Sequence, residues 1–243
     1  MFRVVAGFDP EDPYARPPDD PCRRPPAPVG GRFRIGVPPG TQLEFFGDAD
    51  AARLFSAAAE RLASLGGEAV EVDFTPFDSA ARLLYEGPWV AERVAAIRSF
   101  FERQPDALLP VTRMIFDTAL GWNAVRTFEA MYALQSCRRL AAAQWERMEA
   151  LLLPTAGTIY TIEQVEADPI RLNSQLGRYT NFVNLLDLAA VAVPAGFRPD
   201  GLPFGVSLIG PAGTDSQLLT VAEQLHQPIP GKPRTSARPE GNH

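Results

Sequence analysis

Two side chains that together suit an anionic ligand, Tyr85 and Arg93, stand eight residues apart in a segment whose composition predicts helix. A guanidinium offers a planar pair of N–H donors to a carboxylate, and a phenol adds one directed hydrogen bond. On a straight helix the two side chains would lie ~12 Å apart along the axis and about 80° apart around it. Gly87-Pro88 interrupts that helix, because proline disfavours helical geometry in the preceding residue and donates no helix hydrogen bond. The sequence therefore predicts a kink or a junction of two helices near Gly87, which would let both tips reach one small ligand.

The residues alone also allow a plainer arrangement. In that alternative Arg93 pairs with a surface glutamate and Tyr85 belongs to the hydrophobic core. Composition by itself favours this plainer arrangement over ligand binding.

The elements that must position this pair are clearest in residues 173–213. Spacings of three and four between Leu176, Tyr179, Val183 and Leu186 predict a helix. The small apolar run at 188–193 predicts a strand buried on both faces, 199–201 a reversal, and 204–209 a second strand. A polar stripe on the same helix either lines a binding site or provides caps and packing groups: Asn173, Gly177, Thr180 or Asn181, Asn184 and Asp187.

Strand, helix and strand follow one another in residues 32–74. Alternation predicts a strand at 32–37, Asp48 is a suitable cap for a helix that runs to about residue 65, and a second strand follows at 68–74. Such a unit implies two parallel strands with a right-handed crossover, so the predicted class is an α/β sandwich. Residues 117–148 predict one long helix or a helix pair, and its apolar stripe predicts core scaffold: Trp122, Val125, Phe128, Met131, Tyr132, Leu134 and Gln135.

Composition excludes several functional classes. With 46% hydrophobic and 21% charged residues, the 243-residue chain suits one globular domain or a large part of one. The net charge of −6 argues against a nucleic-acid partner, and no apolar run approaches the ~20 residues of a membrane span. The N-terminus lacks the basic and apolar regions of a secretory signal. Two cysteines, Cys22 and Cys137, make neither a disulfide framework nor a metal cluster, which favours the reducing cytoplasm.

Three blocks in fixed order resemble the amidase signature family, and within it the allophanate hydrolases. They are Tyr179-Thr-Asn-Phe-Val-Asn-Leu-Leu-Asp-Leu188, Val193-Pro-Ala-Gly196 and Gly201-Leu-Pro-Phe-Gly-Val206. The resemblance implies an α/β/α sandwich of the amidase signature type, with a mixed sheet flanked by helices. It also implies that Tyr85 and Arg93, in their Tyr-Glu-Gly-Pro-Trp context, contact the carboxylate end of a small amide substrate. No metal or organic cofactor is implied.

The chemistry of that family uses a lysine and two serines, and the sequence has no place for it. The only lysine is Lys232, in a Pro-rich, charged tail whose composition predicts disorder. A Ser-His-Asp triad is equally hard to build, because His226 follows a helix and His243 is terminal. We therefore predict no catalytic residues in this chain.

The resemblance also predicts where the missing residues belong. Residues 2–21 resemble the stretch that comes just after the lysine and serine half of allophanate hydrolases, so the chain is expected to be the second half of the domain. We expect a Pro-rich leading segment at 1–31, the half-domain at 32–227 and the tail at 228–243. The sandwich is then incomplete, with strand edges and apolar surface exposed.

Two functional classes follow. In the first, the chain is the substrate-recognition half of an amidase that cleaves allophanate in urea breakdown, or another small amide, and it is inactive alone. In the second, it is a non-catalytic remnant or an interaction subunit. The expected partners are the preceding amidase half or a second copy of the chain.

Overall fold

A five-stranded sheet forms the centre of the computed structural model, which describes residues 7–17 and 32–226. The order across the sheet is β2-β1-β3-β5-β4. The strand β1 runs parallel to β2 and β3, whereas β5 runs antiparallel to β3 and β4, so the sheet is mixed. Helices cover both of its faces. Cys22, Lys232 and the tail at 228–243 lie outside the described residues.

The bounds agree with most of the pattern in the sequence. The strands are β1 Phe33–Val37, β2 Gly67–Glu71, β3 Ala150–Pro154, β4 Leu188–Phe197 and β5 Pro203–Pro211. The α-helices of the described residues are α1 Ala49–Ser64, α2 Thr75–Glu86, α3 Trp89–Ala96, α4 Arg98–Arg103, α5 Pro110–Asp117, α6 Ala124–Trp145, α7 Ile162–Ala167, α8 Pro169–Gly177, α9 Asn181–Leu185 and α10 Asp215–Leu225.

The strand β3 separates two hydrophobic layers. Its side chains alternate, so Leu152 joins one cluster with α1 and α10, and Leu151 and Leu153 join another with α2, α6 and α9. All five residues of β3 are buried. This is the α/β/α sandwich that the sequence predicts.

Strand β4 differs from its prediction. The sequence predicts burial on both faces, but β4 is the last strand of the described sheet, and Ala190, Ala192 and Pro194 are exposed. Its outer edge has no partner strand among the described residues. A register shift between Pro194 and Gly196, where Gly196 has φ 137°, bends the far end of the strand.

The long helix α6 also departs from its prediction. Leu134 is buried as expected, but Val125, Phe128, Met131 and Tyr132 are exposed, so the proposed core stripe is wrong for these four. The buried face consists of Ala130, Leu134, Cys137 and Ala141. Small residues line that face because α6 packs closely on α2. No helix of the described residues is long and apolar enough to cross a membrane.

A buried ion pair joins the start of α1 to the end of β4. Asp48 caps α1 by accepting a hydrogen bond from the Ala51 amide at 2.8 Å. It also accepts from Arg198 and, at 2.9 Å, from Thr158. Only 7% of the Arg198 side chain and 13% of the Asp48 side chain are exposed. Burial by itself would raise the pKa of Asp48, but these hydrogen bonds outweigh it and lower the pKa below its ordinary value.

We expect Asp48→Asn to destabilise the chain by about 2–4 kcal/mol at pH 7, because it leaves a buried arginine without its counter-charge while asparagine still caps the helix. Since the folded pKa is lowered, the pair stabilises above the unfolded pKa of about 4 and its contribution disappears as the pH falls through the folded value. The difference in the free energy of unfolding between the wild type and Asp48→Asn should therefore become smaller at acidic pH. Urea unfolding from pH 7 to pH 3 measures it, with Asp50→Asn at an exposed pair as control. An equal effect of the two variants would contradict this role.

Candidate functional site

The Gly87-Pro88 junction brings Tyr85 and Arg93 together. Helix α2 ends at Glu86 and α3 begins at Trp89, as the sequence predicts. The guanidinium carbon of Arg93 lies over the Tyr85 ring, 5.8 Å from its centroid. A straight helix would hold the two positions ~12 Å apart along its axis, so the break between the helices produces this contact.

The plainer alternative does not describe this pair. Tyr85 is 41% exposed rather than part of the core. Within residues 7–17 and 32–226, no carboxylate forms an ion pair with Arg93, which is itself exposed. A guanidinium over an aromatic ring keeps N–H donors at its edge available for an anion.

Tyr85 lines one of two neighbouring clefts. This Tyr85 cleft has a volume of about 380 Å³ and also contains Phe46, Arg171, Arg178 and Asn181. On its floor Asp78 pairs with Arg178 at 3.0 Å and with Arg82 at 3.2 Å. Two arginines share one carboxylate there, so the wall carries an excess of positive charge.

Arg93 lines the second cleft, of about 740 Å³. This Arg93 cleft also contains Trp89, Arg138, Asn184 and Asp187. The Arg138 guanidinium donates two hydrogen bonds, of 3.1 and 2.8 Å, to the carbonyl oxygen of Leu185 and so fixes α6 against the end of α9. The structure therefore joins the two predicted residues by contact, but gives each its own cleft.

The polar stripe predicted on one helix is divided between these clefts. The helix breaks into α8 and α9, so the stripe is not continuous. Asn181 faces the Tyr85 cleft, whereas Asn184 and Asp187 face the Arg93 cleft. Asn173 instead bonds the Pro169 carbonyl oxygen at 2.6 Å, which is a local role.

A buried tyrosine fixes the loop that forms the opposite wall of the Tyr85 cleft. The Tyr179 hydroxyl donates to the Glu44 carbonyl oxygen at 2.8 Å and accepts from the Glu44 amide at 2.7 Å. Burial raises the pKa of this phenol, so it stays neutral and keeps both bonds. Two residues further on, Phe46 adopts a positive φ of 54° and reaches the cleft. The sequence gives no local signal for this long-range bond.

The described residues contain no lysine and no group of three side chains suited to hold a metal ion. One hydroxyl pair joins the residue after β3 to β5, with Thr155 Oγ1 and Ser207 Oγ 3.0 Å apart. A hydroxyl pair without a base does not activate a nucleophile.

Comparison with known proteins decides the family. Residues 1–219 match the family model described as Amidase. The chain belongs to the amidase family. This confirms the resemblance read from the three sequence blocks, and the mixed sheet between helix layers confirms the α/β class.

This amidase chain is similar to three longer proteins, and it aligns with a different share of each. It is 40% identical over 231 residues to urea amidolyase of Saccharomyces cerevisiae, which aligns 94% of this chain with 12% of that protein. It superposes on allophanate hydrolase of Kluyveromyces lactis with a TM-score of 0.84 and 36% identity, covering 92% of this chain and 36% of that one. It is 28% identical over 213 residues to 2-amino-5-chloromuconic acid deaminase of Comamonas testosteroni, covering 81% of this chain and 44% of that one. The chain thus spans less than half of each of these relatives.

We expect Gly87→Ala to disturb the junction that holds Arg93 over Tyr85. A Cβ at residue 87 would overlap the Leu83 carbonyl oxygen and approach the Trp89 ring at 3.0 Å, so the helices must move apart. Overpacking of this kind costs about 1–3 kcal/mol. Urea unfolding and Trp89 fluorescence measure the change. Gly121→Ala meets no atom within 4 Å and is the matched control. Equal stability of the two variants would show that the junction tolerates a side chain.

Proposed function

We propose that this amidase chain is the substrate-recognition half of an allophanate hydrolase-like enzyme. The observation that carries the proposal is the contact between Arg93 and Tyr85 at the helix junction, in a pair that the resemblance assigns to the substrate carboxylate. The likeness to urea amidolyase and to allophanate hydrolase supports this substrate class.

In this proposal the pair recognises the carboxylate of a small amide. The Arg93 guanidinium supplies two parallel donors, and the Tyr85 hydroxyl supplies a third from the neighbouring helix. Exposure of both side chains supports a role toward a ligand, because neither is used up in the core or in an ion pair among the described residues. The substrate would thus be held by its carboxylate end, which leaves its amide group free to face the nucleophile.

The reactive groups are proposed to come from the preceding half of the domain. Support comes from the missing lysine in the described residues and from the open edge of β4. An open edge presents unpaired N–H and C=O groups and favours the addition of a strand. We place the serines and the lysine on the segment that adds to this edge. Cys137 is an unpaired, buried thiol, which suits the cytoplasmic location that we also propose.

A second candidate has an observation in its favour. Both hydrophobic layers contain large, fully buried side chains, including Phe77 and Leu208, so the chain has a core on each side of its sheet. Such a chain could persist as a non-catalytic interaction subunit. Adding the preceding half of the domain and measuring activity distinguishes the recognition half of an enzyme from an interaction subunit.

We expect the purified chain to release no ammonia from allophanate, because it lacks the nucleophile and its base. Addition of the preceding lysine and serine half of an allophanate hydrolase should restore ammonia release. A matched preparation of that half with its nucleophilic serine replaced by alanine is the control. Turnover of allophanate by this chain alone would contradict the proposal that its catalytic groups come from the preceding half. Absence of turnover after that half is added would favour the interaction subunit.

In the restored enzyme we expect Arg93→Ala to weaken binding of malonate, a dicarboxylate probe, by about 10- to 100-fold. Loss of a charge-assisted hydrogen bond costs about 1.5–3 kcal/mol. Tyr85→Phe removes one neutral donor and should weaken binding by about 3- to 10-fold. Calorimetric titration measures both, with Arg98→Ala at the exposed Arg98–Glu102 pair as control. An unchanged affinity of Arg93→Ala for malonate would contradict the proposal that Arg93 binds the substrate carboxylate.

A further inference from the structure

Phe46, in the loop between β1 and α1, has a backbone conformation that a phenylalanine rarely adopts. Its φ is 54°, in the left-handed region, where a Cβ approaches the following carbonyl oxygen too closely for most residues. The next residue, Gly47, has φ 84° but carries no Cβ, so it adopts this region freely. Strain at a bulky residue persists only where surrounding contacts hold it, and it is concentrated at ligand sites.

Several contacts hold Phe46 in this conformation. Its amide donates a hydrogen bond of 2.7 Å to Glu44 Oε1, and the buried Tyr179 hydroxyl bonds both the amide and the carbonyl oxygen of Glu44. Gly157 packs closely against the same loop. A Cβ added to Gly157 would lie 3.1 Å from the Phe46 ring and 2.6 Å from the Glu44 carbonyl oxygen. The ring of Phe46 therefore has a fixed position.

Packing of the hydrophobic core does not account for this arrangement. Phe46 is half-buried, lines the Tyr85 cleft and belongs to neither hydrophobic layer of the described residues. Its neighbour Phe45 instead packs on Phe55, with ring centroids 5.9 Å apart, in the layer that contains α1. One phenylalanine of the loop thus attaches the loop to the core, and the other forms a wall of the cleft.

We propose that Phe46 limits the length of the substrate in the Tyr85 cleft, and that Tyr179 positions it through Glu44. The inference rests on the proposed function, in which Arg93 and Tyr85 hold the substrate carboxylate. Because Tyr85 lines this cleft, the rest of the molecule extends from it toward Phe46. A fixed aromatic wall ends that path, so the site accepts a short amide and rejects its longer homologues.

The other walls of the Tyr85 cleft suit a short polar molecule. Arg178 and Asn181 line it and offer N–H donors to a carbonyl oxygen, whereas a longer hydrocarbon chain gains nothing from them. The volume of about 380 Å³ is near the lower limit for ligand sites. One methylene group more or less in a closed pocket changes binding by about 10- to 200-fold. A single ring in a fixed position is therefore sufficient to select for length.

Calorimetric titration of the full chain with malonate and with succinate, which is one methylene longer, tests the proposal. Both walls of the cleft belong to this chain, so the titration does not require the preceding half. We expect the wild type to bind malonate at least about 10-fold more tightly than succinate, and Phe46→Ala to reduce this ratio to about 3 or less. Phe45→Ala removes the same volume from the same loop and should keep the wild-type ratio. Phe46→Gly also relieves the backbone strain and replaces Phe46→Ala if circular dichroism shows the latter to be unfolded.

Tyr179→Phe tests the positioning role, because it keeps the ring in the core and removes both hydrogen bonds to Glu44. We expect the ratio of the two affinities to fall at least about 3-fold, since a merely structural loss would weaken binding of both acids equally. An unchanged ratio in Tyr179→Phe would overturn this role.

The length limit and the proposed function fail in different ways. An unchanged ratio in Phe46→Ala and Phe46→Gly, while Arg93→Ala still weakens malonate binding, would overturn the length limit alone. Unchanged affinities in Arg93→Ala, together with a lowered ratio in Phe46→Ala, would overturn the carboxylate site but support the length limit. A wild-type chain that binds both acids equally, or neither, would overturn the length limit as well.

Discussion

The strand β3 buries all five of its residues because helices cover the sheet on both sides, and the other elements take their positions from that burial. Leu151 and Leu153 fix the layer of α2, α6 and α9, which contains the candidate site. Phe74, Phe77 and Phe182 pack ring against ring in the same layer, with centroids 5.4–5.8 Å apart. The first turn of α2 is therefore fixed against α9 by these rings.

Local charge at the site differs from the charge of the whole chain. The net charge is −6, yet the Tyr85 cleft contains three arginines against two carboxylates, whereas the Arg93 cleft contains two of each. Asp78 shares its carboxylate between two of them. A cleft lined mainly by one sign of charge concentrates ligands of the opposite sign. The charge of the whole chain argues against a polyanionic partner, whereas the local charge of the Tyr85 cleft is compatible with the small anion that we propose as its ligand.

Sequence patterns predicted the elements with local causes. The cap at Asp48, the parallel pair of β1 and β2, and the junction at Gly87-Pro88 follow from side chains close in sequence, and all three are confirmed. Periodicity shows which residues are apolar, but it does not show what covers them. For that reason the burial of the apolar stripe of α6 and the full burial of β4 were predicted wrongly. Contacts across long sequence distances, such as Tyr179 with Glu44 or Arg138 with Leu185, leave no periodic trace.

The bend near the end of β4 also limits what an unassembled chain can do. Between residues 188 and 193 the edge is regular and uncharged, the kind of segment that recruits strands from other chains into fibrils. Pro194 has no amide proton, and the shifted register at Gly196 turns the backbone out of line. Pro194 and Gly196 therefore act as gatekeepers, and templated growth along this edge would be confined to the short window before them.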